Sequence, residues 1–461
     1  MKILLIYPND SAEAYISRRP PVGLGYLGTI LYNNKHNVKL LDMRIKSNNK
    51  ERLIKLLKDF KPDVVGFSLL SMSIETVKDL VKLVKNNSKS IIIGGGPEAT
   101  LLGEKILLDL KEFDCILLGD AEYSILKLID SLEKKRKFPK VYDKEIIQNL
   151  DVLPFPKWEL FNLKLYNKNI KKIQLPILTS RGCPYHCIYC ESSKINGKYR
   201  TRSAKNVVDE LEYNHKKFGV KTFQIMDDSF AINKERVFQI CDGIIKRNLK
   251  INWIVGQGFS VSKADYNLFK KMKEAGCLTI FFGIESSDDE ILRTIRKPHT
   301  VAQVEKAIKE AKMAGIKVKG NFIAGLPGST FKKDLKYIKF FKRTGIDVPK
   351  MGHLMPFPNT EIYEWVKKEA KPVMDLDKLH RVVSGGRGTE NTKHFGISFE
   401  TKDYTFEERK KLVDIFWNES ERYILQNMFG KLLGTPIFYL TRIRFIRSFG
   451  IKILNKFSDN L

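Results

Sequence analysis

Apolar positions recur along the chain in two separate alternating series. In the first, short and uniformly apolar runs at 2–7, 38–42, 63–68, 90–93 and 115–118 read as strands buried on both faces. Between them lie segments such as 50–60 and 74–86, whose apolar residues return every three to four positions, as on an amphipathic helix. Five such units over residues 1–135 predict a doubly wound, Rossmann-like α/β domain with a parallel sheet. Ligands of such sheets sit at the carboxyl ends of the strands. Residues 136–174 lose the rhythm, carry Pro139, Pro154 and Pro156, and read as a linker on the surface.

The second series places apolar runs at 175–179, 222–226, 251–255, 278–284, 318–324 and 349–354, with helical stretches such as 204–218 and 301–314 between them. Six strand–helix units over residues 175–360 predict a partial (β/α)6 barrel of TIM type, whose functional residues belong at the C-terminal ends of the strands. Residues 361–461 read as a mostly helical, basic region. Within it, the string SGGRG at 384–388 predicts a mobile loop, Thr405-Phe-Glu-Glu408 is a capping box, and the helical pattern is interrupted near Gly434 and Pro436. The sequence has no internal repeat.

Composition narrows the class. With 43% hydrophobic and 29% charged residues in 461, the chain is not disordered, collagenous or a coiled coil. The 81 Lys+Arg against 53 Asp+Glu leave a net charge of +28, a surplus that fits nucleic acid, an anionic membrane surface or a phosphate-bearing ligand. Six cysteines are too few for a disulfide scaffold. The apolar run in MKILLIYP is too short for a signal peptide, and no run reaches the ~18 apolar residues of a membrane span, so a reduced, cytoplasmic protein is expected.

Three of the cysteines, Cys183, Cys187 and Cys190, crowd into eight positions directly after the first strand of the second series. Thiolates at spacing C-x3-C-x2-C can converge from one loop on a metal centre. Structural zinc is one reading, with His186 or a remote residue as fourth ligand. A 4Fe–4S cluster with three cysteine ligands and one open iron is the other. Zinc sites generally combine two short pairs, and this chain has no second pair, which favours the cluster.

The loop and its place after strand one of a partial barrel resemble the radical S-adenosylmethionine (SAM) superfamily. The resemblance implies a cluster whose open iron chelates the amino and carboxylate groups of SAM. It also implies reductive cleavage of SAM to a 5′-deoxyadenosyl radical that abstracts hydrogen from an unactivated carbon. Tyr189 occupies the family's aromatic position beside the adenine. Asp227 and Asp228, ending the second strand of the barrel, match its polar contacts to the SAM amino group. Glu285 and Ser286, ending the fourth, match contacts to the ribose or carboxylate, and Gly325 in Ile323-x-Gly325 resembles its adenine motif. Arg296 and Lys297 either meet SAM or substrate or form a solvated helix end, and the second reading is favoured.

The first domain carries a Gly-x-Gly-x-x-Gly string at Gly23, Gly25 and Gly28, but fifteen residues separate it from the first strand and Asp42 follows too closely, so it is not a dinucleotide fingerprint. Ser68-Leu-Leu70 at the end of strand three and Gly94-Gly95-Gly96 at the end of strand four resemble the S-x-L…GG pattern of cobalamin-binding domains. Gly119 and Glu122 after strand five fit the same family. The D-x-H-x-x-G string whose histidine ligates cobalt in cobalamin-dependent methionine synthase is missing, and His36 reads as a surface residue. The resemblance therefore implies histidine-off cobalamin.

Together these features resemble the cobalamin-binding branch of radical SAM enzymes, the class B methyltransferases. The resemblance implies methylation of an unactivated carbon of a small or lipid-like molecule, with an electron donor such as flavodoxin or ferredoxin. The alternatives are a radical cyclase or oxidoreductase without methyl transfer, and a non-catalytic cobalamin- or metal-binding regulator. Residues 422–457 hold seven Lys/Arg and no Asp or Glu, interleaved with aromatics. That pattern fits peripheral contact with an anionic membrane, or a helical cap whose charges face solvent. No RNA-binding module or motif accompanies it, so nucleic acid is not the expected partner.

Overall fold

The run Lys2–Tyr7 forms β1 of a six-stranded, wholly parallel sheet with β2 (Asn37–Asp42), β3 (Val64–Ser68), β4 (Ile91–Gly95), β5 (Cys115–Gly119) and β6 (Val141–Glu145), in the order β2-β1-β3-β4-β5-β6. The computed structural model describes residues 1–9, 19–45, 47–373, 375–376 and 396–440. Leu4, Ile6, Val65 and Ile92 pack on one face of this sheet, and Ile3, Leu5 and Ile93 on the other, as buried parallel strands require.

The sixth strand was not foreseen. Val141–Glu145 is half exposed and polar (VYDKE), so it lacks the apolar signature of its neighbours, and it lies in the segment read as linker. The rest of that segment is not superficial either. Trp158 is wholly buried against the helix Val22–Asn33, where a Cβ at Gly25 would lie 3.0 Å from the indole. Gly28 likewise admits Leu40. The glycine string of this helix therefore serves close packing. His36 precedes β2, at the opposite end of the sheet from the carboxyl ends of the strands, and lies half buried beside the N-terminal amine and Glu133.

The second sheet runs in sequence order through β7 (Gln174–Ile177), β10 (Thr222–Ile225), β11 (Asn252–Val255), β12 (Cys277–Glu285), β13 (Lys317–Ala324) and β14 (Val348–His353), every neighbouring pair parallel. Between β7 and β10, a small antiparallel pair, β8 (Ser180–Arg181) and β9 (Arg200–Thr201), brackets the cysteine loop. Helices cover the outer face of the six-stranded sheet. The cluster Phe230, Trp253, Phe259, Phe269 and Phe282 fills one part of that layer, and Phe322, Tyr337, Phe341 and Phe416 another.

Phe416 belongs to the C-terminal helix Phe406–Leu440, which packs on the helix Phe331–Thr344 and on β14. Its capping box forms as expected: Thr405 N–H donates to Glu408 Oε2 at 2.9 Å, and Glu408 N–H donates back to Thr405 Oγ1 at 3.3 Å. The interruption falls at Gly430 (φ 76°, ψ 160°) rather than at Gly434 or Pro436. Among the described residues, no helix is long and apolar enough to cross a membrane. The string 384–388 and the part of the basic tail beyond 440 lie outside the described residues.

Candidate active site

The loop of Cys183, Cys187 and Cys190 emerges at the C-terminal end of β7, and two neighbouring carboxylates hold it there. Asp227, wholly buried, accepts hydrogen bonds from Thr179 N–H at 2.6 Å and Ser180 Oγ at 2.6 Å, with the Thr179 hydroxyl a third donor. Asp228 accepts from Gly182 N–H at 3.0 Å and from the Asn196 side chain at 2.9 Å. Gly182 (φ +80°) is required, because a Cβ there would lie 2.6 Å from the Gly197 and Lys198 carbonyls. Asp227 thus positions the cysteine loop, and its carboxylate is fully engaged in doing so. Asp228 is half buried and shares that task.

The three thiols are half buried, and each lies within electrostatic range of the other two. Burial raises all three, Cys190 to about 11, while the Lys297 ammonium pulls each of them down. Among the described residues, no three His, Cys, Asp or Glu side chains converge tightly enough for a single metal ion. One tetrahedral zinc would need its sulfurs drawn to about 2.3 Å from one point. A cluster takes each thiolate on a different iron, so three half-buried thiols on one loop within reach of the Lys297 ammonium fit it.

Tyr189 of this loop meets Glu285 and Lys297 from the far end of β12 and the turn after it. Lys297 Nζ donates to Glu285 Oε1 at 2.7 Å and to the Tyr189 oxygen at 3.1 Å, and Tyr189 donates its hydroxyl proton to Glu285 Oε1 at 3.0 Å. Burial disfavours the Lys297 charge, but Glu285 and the neighbouring Tyr189 and Cys187 outweigh it, so its pKa stands well above the ordinary lysine value. Glu285 adopts a left-handed backbone (φ +64°), rare for a side chain of this size. Ser286 is buried beside it and accepts from Asp288 N–H at 3.2 Å. Lys297 is therefore no solvated helix end. Arg296 does face outward, pairing with Glu361 at 2.7 Å, while its carbonyl accepts from the Cys187 thiol at 3.6 Å.

Gly325 (φ +83°) directly follows β13, and a Cβ there would lie 2.0 Å from Arg409 Nη1. Arg409, buried, comes from the C-terminal helix and stacks on Phe399 and Tyr404 at 4.4 and 4.7 Å. The C-terminal region thus reaches the mouth of the barrel.

At the other site, Ser68, Leu70, Gly95 and Gly96 are partly exposed at the ends of β3 and β4. Gly96 (φ +115°) lets the chain pass close: a Cβ would lie 3.1 Å from the Leu69 carbonyl and 3.5 Å from Ser68 Oγ. These four fit a ligand laid along the strand ends. Gly94 and Gly119 have packing reasons of their own, since a Cβ would meet Phe113 and Leu69 at 2.8 Å in the first case and the Glu145 carbonyl at 2.4 Å in the second. Glu122 is also occupied: it pairs with Arg181 at 2.5 Å. Arg181, two residues before Cys183, also pairs with Asp120 at 2.9 Å, and Arg200 reaches the other oxygen of Asp120 at 2.5 Å. Burial of Asp120 favours the neutral acid, but the two guanidiniums and the Ile147 N–H prevail and hold its pKa below the usual carboxylate range. Sequence reasoning passed over Arg181. The available signal was a cation immediately before the cysteine loop and two carboxylates two residues apart after β5.

Comparison with known proteins agrees with this arrangement. Residues 177–341 match the family model of the radical SAM superfamily, and residues 17–129 that of the B12 binding domain. The chain is 32% identical over 386 residues to the uncharacterized methyltransferase PH0819 of Pyrococcus horikoshii, covering 79% of this chain and 83% of that protein. It is 23% identical over 446 residues to the anaerobic magnesium-protoporphyrin IX monomethyl ester cyclase of Rubrivivax gelatinosus, covering 89% and 80%. Among solved structures, the radical SAM methyltransferase TsrM of Kitasatospora setae shares the fold at a TM-score of 0.69 and 17% identity, over 81% of this chain and 79% of that one. The chain belongs to the radical SAM superfamily, in the branch that carries an N-terminal B12-binding domain.

Proposed function

We propose that this protein is a cobalamin-dependent radical SAM enzyme that methylates an unactivated carbon of a small or lipid-like molecule. The observation that carries the reading is the joining of two sites by one loop. The three cysteines of the barrel follow Arg181, which is clamped by Asp120 and Glu122 at the strand ends of the B12-binding domain. Cys183, Cys187 and Cys190 would hold a 4Fe–4S cluster. Tyr189, Asp228, Glu285, Ser286, Lys297 and Gly325 surround the place for SAM. Ser68, Leu70, Gly95 and Gly96 would meet cobalamin, held without a histidine ligand. When bound, these groups supply one-electron cleavage of SAM and a transferable methyl group. The chain's own contribution is orientation. Asp227 and Asp228 fix the cysteine loop, and the Lys297 ammonium offsets the negative charge of Glu285 and of the thiolates. The electron would come from a carrier of flavodoxin or ferredoxin type. The name of the Pyrococcus relative supports methyl transfer.

Anaerobic reconstitution with iron, sulfide and cobalamin, followed by absorption and electron paramagnetic resonance, tests the reading. It expects about four irons and one cobalt per chain, and loss of the iron signal in Cys183→Ala. With SAM and a reductant, 5′-deoxyadenosine should appear together with S-adenosylhomocysteine. Absence of both metal signals, or an intact cluster in Cys183→Ala, overturns it.

The Rubrivivax relative, aligned over 89% of this chain and named a cyclase, favours a second reading in which the radical closes a ring without methyl transfer. Formation of 5′-deoxyadenosine without S-adenosylhomocysteine, in the presence of the true substrate, would support it.

A further inference from the structure

Gly430 (φ 76°, ψ 160°) breaks the C-terminal run 406–440 into two helical arms, and the second, 431–440, folds back on the first. Phe438 is buried on Leu425, with Phe429 and Ile437 beside them. Gly434 is buried where a Cβ would lie 2.5 Å from the Leu425 carbonyl oxygen, and Gln426 Nε2 donates to Thr435 Oγ1 at 2.9 Å. These contacts fix which way the second arm faces.

Its opposite face is apolar and open to solvent. Leu432, Leu433, Tyr439 and Leu440 are 91%, 63%, 61% and 48% exposed, and Pro436 among them is exposed too. At about 100° per residue these five side chains share an arc of about 120°, one continuous stripe along the arm. Other exposed apolar side chains, such as Leu108 and Met313, stand singly in the sequence, which is ordinary for a protein surface. A contiguous stripe is what marks an interaction surface.

The charge around the stripe selects its partner. It opens on the exposed Lys431, and residues 422–457 hold seven Lys/Arg and no Asp or Glu, within a chain of net charge +28. A second copy would bring the same cations to the contact, and five side chains fall short of the about 800 Å² per partner that a stable interface buries. Nucleic acid would meet the cations and leave the leucines in water. An anionic bilayer surface takes both: the acyl boundary receives the leucines, the tyrosine suits the headgroup level, and lipid phosphates meet Lys and Arg.

We propose that the arm 431–440 rests in the interface of an anionic membrane, with Leu432, Leu433, Pro436, Tyr439 and Leu440 as the inserted face. The helix from Arg409, at the mouth of the barrel, to Gly430 is roughly 30 Å long at about 1.5 Å per residue. The contact therefore holds the protein at a surface and takes no part in the cofactor sites. It stands independently of the proposed function.

The test is cosedimentation of the full-length chain, reconstituted with iron, sulfide and cobalamin, with vesicles of phosphatidylcholine alone or with about 30% phosphatidylglycerol added. The anionic vesicles should bind about tenfold more tightly or better, and raising the salt to about 0.5 M should remove most of that advantage. Leu432→Ser combined with Leu433→Ser should weaken binding by about tenfold or more, because attachment scales with the apolar area inserted. If that double variant fails to fold, Leu432→Ser alone, at a position 91% exposed, carries the test with a loss of about threefold or more. Leu108→Ser removes an exposed leucine from the B12-binding domain and should leave binding within about twofold. Binding that is undetectable, indifferent to phosphatidylglycerol, or unchanged in the Leu432 and Leu433 variants overturns the assignment. A dimer seen by sedimentation without lipid, and abolished by the same variants, would give the stripe to a second copy and overturn it as well.

Discussion

Glu122 Oε1 lies 2.5 Å from Arg181 Nη2, and both side chains are largely buried, at 5% and 12% exposure. The pair joins the end of β5 in one domain to the residue that introduces the cysteine loop of the other. Leaving a buried charge wholly unpaired costs about 3–5 kcal/mol, and loss of Glu122, after which Arg181 keeps Asp120 at 2.9 Å, should cost less than that. Glu122→Ala should therefore lower the urea midpoint measurably. Glu122→Gln, which can still accept one hydrogen bond, should fall between that variant and the natural chain.

The Lys297 charge reaches all three thiols, and its ammonium is shared between Glu285 and Tyr189. Lys297→Met should leave the Glu285 carboxylate buried without its partner, weaken SAM binding by about tenfold or more, and spare the secondary structure seen by circular dichroism. Lys297→Arg should recover part of the affinity. Equilibrium titration with SAM under anaerobic conditions makes the measurement. Unchanged affinity in Lys297→Met would show that the ammonium is idle.

His299 is buried, its Nε2 has no hydrogen-bond partner, and burial followed by the Lys297 charge pushes its pKa down to about 4. The ring is therefore neutral in the folded chain at a pH where the unfolded chain has begun to protonate it. A depressed folded-state value means stability is lost as pH falls from about 6.5 to about 4, by about 3 kcal/mol in total. Asp334, raised to about 6 mainly by burial, slopes the other way in the same range. The difference between the natural chain and His299→Gln isolates the histidine: urea midpoints should diverge from neutral pH toward pH 4, with the variant less sensitive to acid.

Trp158 sits wholly buried between the linker and the first helix. Large-to-small changes at such sites cost about 3–5 kcal/mol. Trp158→Ala should lower thermal stability by that order, and more than substitution of the half-exposed linker residue Phe155.

The strands of both sheets were legible because parallel strands buried on two faces must be apolar, and the cysteine loop was legible because its spacing is itself the chemistry. β6 was not, since an edge strand facing water has no reason to be apolar. The site partners were harder for a different reason. Lys297 and Glu285 lie twelve residues apart in sequence and touch only because the chain turns back after β12. Arg181 and Glu122 lie in different domains. The partners of Asp227 were not legible, because a carboxylate at a strand end looks the same whether it meets a ligand or the Thr179 and Ser180 hydroxyls. The glycines raised a similar ambiguity: Gly96 opens the strand ends, while Gly94 and Gly119 are demanded by Phe113 and β6.

The polar strand Val141–Glu145 also sets where this protein can be cut. A fragment ending at residue 135 would expose the whole hydrogen-bonding edge of β5, with Ile116 and Leu117 at its centre, as a template for another chain to pair with. A fragment ending after Glu145 keeps that edge covered by a strand whose own charges discourage stacking. The B12-binding module is therefore a six-strand unit, and its fragments should stay monomeric or aggregate according to which side of residues 141–145 the chain ends.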